Sequence, residues 1–345
     1  MRHPLYETFR TLISRGEKEV GLLHPPSFEG YVAQNSPPSS TAEHSKMGCL
    51  VLAGGEGTRL GLKGPKGCVA FPPAAKKSLF QMLFEKVKAK GAGLPLSLMT
   101  SPLNHEATVA YLEQHNYFGL TNLDIFQQGL MPICDDRGEL LLDTKGRVIR
   151  SPNGNGRALS HLYHSGIWKK WREQGVKVVQ ILPVDNPLAE PFDLELLAHH
   201  QSSSADLVLK CIRRESSKEN VGVVDIEDSR LVVREYSEIP SHVSPLSHPY
   251  GNSGIFSCSV DFVEKISSID LPWHLARKRV MWRRKEPQWI WKFETFIFDI
   301  FPTAQDFKIL VSERKQCFAP LKTFAPSHGA GGWSSANTHI ERINI

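Results

Sequence analysis

Long apolar runs are missing from this 345-residue chain. No window reaches the roughly 18 uncharged apolar residues that a bilayer-spanning helix needs, so no membrane partner is expected. The six cysteines, Cys49, Cys68, Cys134, Cys211, Cys258 and Cys317, include no C-x-x-C pair. Their scatter argues against metal fingers and against a secreted disulfide framework. The opening residues, MRHPLYETFRTLIS, lack the apolar core of a signal peptide. Together these absences predict a reduced, cytoplasmic protein. A large excess of one charge is missing too: 41 Lys and Arg against 36 Asp and Glu leave a net charge of +5. That excess does not by itself indicate a nucleic-acid binder, and it suits an enzyme acting on a small polyanion. No internal repeat and no long low-complexity tract is visible.

What is present is an alternation of strands and helices. Length alone suggests about two domains. Residues 4–23 carry apolar side chains at helical spacing, and 24–46 hold Pro25-Pro26, Pro37-Pro38 and a Ser/Thr cluster that read as linker or surface loop. Short apolar strands are expected at 50–52, 96–99, 177–182 and 207–209, with helices over 78–90, 104–116, 157–174 and 191–202. Such alternation implies βαβ units and a mainly parallel sheet flanked by helices. Strands dominate from about 206 to 257, where a mixed sheet edge is expected. Three segments follow: an N-terminal helix and linker over 1–46, an α/β body over 47–312 and a short C-terminal segment over 313–345.

The strongest local feature is Leu52-Ala53-Gly54-Gly55-Glu56-Gly57-Thr58-Arg59-Leu60, followed by Gly64-Pro65-Lys66-Gly67. A strand running into glycines lets a ligand approach the backbone, whose successive N–H groups then hold phosphate oxygens. Arg59 and Lys66 add positive charge. The spacing is neither a dinucleotide fingerprint, because Leu60 stands at the third glycine, nor a Walker A loop, because no G-K-[ST] is present. A plain tight turn with solvated basic residues is the alternative.

This run resembles the signature of the sugar-nucleotide uridylyltransferases, in their UDP-N-acetylglucosamine pyrophosphorylase branch. Seven further segments extend the resemblance in order: QQGLMP (127–132), PNGNG (152–156), VDN (184–186), EYSEI (235–239), NSG (252–254), KFE through FDIF (292–301) and PLK (320–322). The resemblance implies a Rossmann-like nucleotidyltransferase fold acting on UTP and a sugar 1-phosphate with Mg²⁺. It assigns UTP to Leu52, Ala53, Gly54, Gly55, Lys66, Gln128, Gly154, Asp185 and Lys292. Gln128 would read uracil, a task suited to an amide that donates and accepts at once. Asp185, at a strand's C-terminal end where ligands gather in open α/β sheets, would hold Mg²⁺. The sugar phosphate falls to Asn155, Glu235, Tyr236, Asn252 and Lys322. Arg59, Lys66 and Lys292 would stabilise charge during transfer.

The sequence departs from the family pattern at Glu56, Asn153, Ser253 and Ile255. Only 23 residues follow Lys322, whereas the resemblance implies a longer C-terminal part, so a compact or truncated variant is expected. His161, His164, His199 and His200 are expected on helix surfaces rather than at a metal. The stretch from Trp273 to Trp291 mixes aromatics with Arg277, Lys278, Arg279, Arg283, Arg284 and Lys285. Stacking on single-stranded nucleic acid is the reading that competes there with membership of the same motif series. The remaining rivals are glucose or galactose 1-phosphate as the sugar substrate, and a non-catalytic nucleotide or RNA binder.

Overall fold

The computed structural model describes residues 6–15, 24–33, 43–56, 64–70, 76–236, 239, 243–281, 287–321 and 341–342. Its elements run α1 (Tyr6–Arg15), β1 (Met47–Leu52), α2 (Leu79–Lys90), β2 (Leu96–Thr100), α3 (His105–Gln114), β3 (Leu123–Gln127), β4 (Leu130–Pro132), β5 (Cys134–Asp135) and β6 (Arg150–Pro152). Then come α4 (Ala158–His164), α5 (Ile167–Glu173), β7 (Val178–Pro183), α6 (Leu194–Ser203), β8 (Leu207–Arg213), β9 (Val223–Glu227), β10 (Arg230–Arg234) and β11 (Tyr250–Ser259). The chain ends with α7 (Val260–Ile266), β12 (His274–Met281), β13 (Pro287–Glu294), β14 (Phe307–Val311), α8 (Arg314–Cys317) and β15 (Glu341–Arg342).

Continuous apolar runs become the central strands because both faces of a parallel sheet are covered. β3, β2, β1 and β7 lie side by side, all parallel. β11 joins β7 antiparallel, β8 joins β11 antiparallel, and β14 closes that side parallel to β8. The β9–β10 hairpin pairs with the start of β11 through Val223 and Gly251, completing nine strands. Two apolar clusters cover the two faces. One is built on Trp171, Phe256, Phe262 and Phe301, the other on Phe80, Phe84, Phe192 and Leu196. A second sheet, ordered β15-β12-β13-β5, and the β4–β6 pair stand apart from it. The expected fold class holds: a mixed, mainly parallel sheet flanked by helices.

Several local expectations change. The helix over 157–174 is two helices, because Gly166 adopts a φ of +83° between α4 and α5. Residues 24–33 form a surface loop as expected, and it is docked on the sheet edge: Val32 bridges β14 at Ile309, and Tyr31 stacks on Phe307 at 4.6 Å. His199 and His200 are not surface residues; both are buried. The neutral imidazole of His200 donates from Nδ1 to the Ala205 carbonyl at 2.8 Å and accepts the Ser257 hydroxyl at Nε2 at 2.9 Å, joining α6 to β11. Burial pushes its pKa down to about 4. His164 is exposed as expected, and His161 is half-buried. The described parts of the aromatic and basic stretch form the antiparallel β12–β13 pair, where Arg277 lies over Trp289 and Trp291 and pairs with Asp136 at 3.1 Å; Arg283, Arg284 and Lys285 lie outside the described residues. All six cysteines are free thiols. Burial pushes the Cys49 and Cys68 thiols up to about 12, out of the reactive range.

Candidate active site at the C-terminal ends of the parallel strands

β1, β2 and β7 run in one direction, so their C-terminal ends share one edge. The glycine-rich loop leaves β1 there. Its first residues are locked to the neighbouring strands: Ala53 N–H donates to Met99 O at 2.8 Å, and Val184 N–H donates to Leu52 O at 3.1 Å. Asp185 follows directly at the end of β7. Lys66, in the turn after the loop, donates from Nζ to Asp185 Oδ2 at 2.8 Å and to the Leu321 carbonyl at 3.4 Å. Its own N–H donates to Gly55 O at 3.1 Å, closing the loop on itself. The alternative role of Asp185, capping the turn before Pro187, belongs instead to Asn186, whose Oδ1 accepts the Leu188 N–H.

Gln128 extends the β2–β3 ladder by donating its N–H to Thr100 O at 2.8 Å. Its side chain lies against Gly54, where an added Cβ would meet Oε1 at 2.6 Å. Any larger residue at 54 displaces the glutamine. Gly129 O accepts the Asn153 N–H, which carries the connection to the PNGNG segment. Gly154 has a φ of +82°, and a Cβ there would sit 2.3 Å from Thr295 O. Glycine is required both by the turn and by the contact. Asn155 Oδ1 accepts the Ile297 N–H at 3.0 Å, and Lys292 stands on β13 three residues before Thr295. Asn153, the family's aspartate position, holds its neighbours through backbone: its carbonyl accepts the Thr295 N–H at 2.9 Å.

On the other flank, Gly254 packs on Pro183, with a Cβ-to-Cγ distance of 3.4 Å for an added Cβ. Asn252 is buried, its N–H donating to Gly222 O and its Oδ1 accepting the Gly254 N–H at 2.8 Å. Glu235 follows Arg234, which pairs with Val223 beside Gly251, so it arrives at the same corner. Tyr236 beside it is exposed. Ser253 and Ile255 face into the sheet, with Ser253 Oγ donating to the Lys210 carbonyl. Their departure from the family pattern is therefore absorbed by packing. Arg59 and Lys322 lie outside the described residues.

Two positioning residues escaped sequence reading. Asn186 Nδ2 donates to Cys317 O at 2.7 Å and its Oδ1 accepts the Ala319 N–H at 3.0 Å, while Leu321 N–H donates to Asp185 O at 2.9 Å. These bonds hang residues 317–321 across the strand end that carries Asp185, although composition places them in a separate C-terminal segment. Asn104 is the other, bonded to the glycine-rich loop from beneath. Asn186 sits inside the VDN segment but its reach to residues 317–319 is not readable there, and Asn104 belongs to no motif named above; both contacts run to distant backbone. Among the described residues no group of three His, Cys, Asp or Glu side chains is placed to hold a metal, so Asp185 is a single-carboxylate site. That donor set fits Mg²⁺, which commonly takes one or two carboxylates and completes its shell with substrate phosphates and water. No helix among the described residues is long and apolar enough to cross a membrane.

Comparison with known proteins adds an independent line. The family described as UTP–glucose-1-phosphate uridylyltransferase matches residues 23–257. UDP-N-acetylglucosamine diphosphorylase 1 of Arabidopsis thaliana is 30% identical over 82% of this chain and 61% of its own length. UDP-N-acetylglucosamine pyrophosphorylase of Saccharomyces cerevisiae is 30% identical over 88% of this chain and 72% of its own. The chain thus spans about three fifths to three quarters of the length of these curated relatives. The solved uridine diphosphate N-acetylglucosamine pyrophosphorylase of Trypanosoma brucei, bound to an inhibitor, is 26% identical with a TM-score of 0.76, covering 95% of this chain and 73% of that one. With the motif series and the strand-end loop in place, the chain belongs to the UTP–glucose-1-phosphate uridylyltransferase family.

Proposed function

We propose that this protein is a uridylyltransferase that joins UTP to N-acetylglucosamine 1-phosphate, yielding UDP-N-acetylglucosamine and pyrophosphate. One observation carries the reading: the glycine-rich loop, Lys66 and Asp185 converge at one strand-end edge, with Gln128 packed on Gly54. The named relatives favour the N-acetylglucosamine branch.

The chemistry is the meeting of two polyanions. The sugar phosphate oxygen attacks the α-phosphorus in line, and the bond to the pyrophosphate oxygen breaks. The attacking oxygen is already ionised at neutral pH, so positioning and charge stabilisation do the work and no general base is needed. The glycine-rich loop holds phosphate oxygens through its backbone N–H groups, with Arg59 beside it. Lys66 is already carried to that edge by Asp185 and Leu321 O, and it releases part of that contact to the incoming phosphates. Gln128 meets the uracil edge, and Gly154 lets the base approach the backbone. Asn155, Glu235, Tyr236 and Asn252 face the sugar, and Lys292 and Lys322 hold its phosphate. Asp185 would hold Mg²⁺ through the oxygen that Lys66 leaves to it; the ion, when bound, neutralises phosphate charge. A cytoplasmic setting suits six free thiols. In the β12–β13 pair the Arg277 guanidinium is already stacked and paired, which favours the small polyanion over nucleic acid as the partner.

The test is release of pyrophosphate from UTP with a panel of sugar 1-phosphates. Turnover with N-acetylglucosamine 1-phosphate in preference to glucose or galactose 1-phosphate is expected. Preference for glucose 1-phosphate would move the substrate to the other branch, and UTP binding without any turnover would leave only a nucleotide binder.

A further inference from the structure

Asn104 immediately precedes α3, in the position where an asparagine side chain ordinarily caps its own helix. Here it makes no such cap. Instead Nδ2 donates to the Ala53 carbonyl at 2.9 Å and to the Gly55 carbonyl at 3.3 Å, across about fifty residues of sequence. Its Oδ1 accepts the Ser101 N–H at 2.8 Å. One acceptor is thus matched to a donor and one NH₂ group to two carbonyls, so only the amide of asparagine satisfies all three partners in this orientation. The side chain is 2% exposed. It lies on the buried side of the loop, while Gly55 and Glu56 are exposed on the other.

The consequence follows from peptide geometry. In a planar trans peptide the C=O and the following N–H point in opposite directions. The Ala53 carbonyl turned toward Asn104 therefore turns the Gly54 N–H away from it. The Gly55 carbonyl turned the same way turns the Glu56 N–H away. Two N–H groups are thereby aimed at the exposed side of the loop, where a phosphate would approach. Gly55 itself has no space restriction there, since an added Cβ would meet nothing within 4 Å. A glycine loop at this point has freedom to turn its peptides over; Asn104 removes it at the Ala53 carbonyl and shares the Gly55 carbonyl with the Lys66 N–H, which donates to it at 3.1 Å.

We propose that Asn104 is a positioning residue that presets two peptide groups of the glycine-rich loop for the triphosphate of UTP, acting through Ala53 and Gly55 and touching no substrate. The inference rests on the uridylyltransferase reading for the identity of the ligand, not for the geometry. Asn104→Asp keeps the size, the Oδ1 acceptor and the capacity to cap a helix, but replaces the donor with an oxygen that repels both carbonyls. Half-saturating UTP should rise about tenfold or more in this variant, the effect expected for breaking buried hydrogen bonds. Half-saturating sugar 1-phosphate should stay within about twofold. Lowering the pH should recover UTP affinity in the variant relative to wild type, because the protonated carboxyl regains one donor. Asn104→Ser, which retains capping ability and is shorter, should show the same split and serves if Asn104→Asp does not fold. Equal UTP affinity in a folded variant and wild type overturns the proposal, and so does equal weakening of both substrates. Should wild-type protein bind no UTP, the functional reading fails first. Inorganic tripolyphosphate then puts the question to the loop alone: weaker binding by Asn104→Asp supports the role, and unchanged binding overturns it.

Discussion

Two lysine–aspartate pairs in this molecule look alike in chemistry and differ in setting. Lys210, on β8, contacts Asp193 and lies 3.4 Å from Glu195, both at the start of α6. Its side chain is 8% exposed. Burial works against its charge, but the two carboxylates outweigh burial and hold the ammonium above its ordinary pKa. Asp193 also caps α6 by accepting the Glu195 N–H at 3.0 Å. Every partner of this pair is a core element. Lys66 meets a single carboxylate, Asp185, and one carbonyl at the open end of parallel strands, and its side chain is 16% exposed. A lysine enclosed by two carboxylates is neutralised and held in place. A lysine with one carboxylate at a strand end keeps capacity for another anion.

Perturbations of the two places should therefore have opposite readouts. The largest effect expected is metal removal. EDTA should abolish pyrophosphate release and Mg²⁺ should restore it, with the melting temperature unchanged throughout; turnover that persists in EDTA would contradict the role given to Asp185. Next is Lys210→Ala, which leaves the partly buried Asp193 and Glu195 carboxylates without their cation. It should cost about 3–5 kcal/mol of stability in denaturant unfolding while the folded fraction keeps its turnover. Loss of turnover without loss of stability would erase the contrast. Lys66→Ala should do the reverse. Turnover should fall by about 10²–10³, equivalent to about 2.7–4 kcal/mol of barrier, while unfolding stays close to wild type.

The smallest effect concerns pH and belongs to the Lys210 side, where His200 sits on the same helix. Its folded-state pKa of about 4 lies below the ordinary value of 6.5, so as pH falls the unfolded chain takes up a proton first. Stability present above pH 6.5 is then lost progressively between 6.5 and 4, by up to about 3 kcal/mol. His200→Gln should flatten that part of the unfolding-versus-pH curve without altering the pH dependence of UTP affinity. An unchanged slope would mean another group controls the acid limb.

The central strands could be read directly because burial on both faces leaves nearly uninterrupted apolar residues, as in Met47–Leu52 and Val178–Pro183. The β12–β13 pair could not. Its strands mix Arg277, Arg279, Trp289 and Trp291, and only the cross-strand register shows that these side chains satisfy one another. His200 failed for a related reason. A histidine on a helix face looks solvated until Ser257 and the Ala205 carbonyl are found beside it. The C-terminal segment was separated by composition, yet Asn186 and Asp185 bind it to the strand end.

Residue order alone determined the chemistry available here: glycines for close backbone approach, lysines for phosphate charge, one strand-end aspartate, and amides for a base. Those properties are local, set by side-chain type and by the strand that precedes each motif. Tertiary structure decided which of these groups meet. Lys66 reaches Asp185 across 119 residues, and Asn104 reaches Ala53 across 51. Contacts of that length depend on parallel strands ending at a common edge, a consequence of strand order that no stretch of sequence encodes on its own.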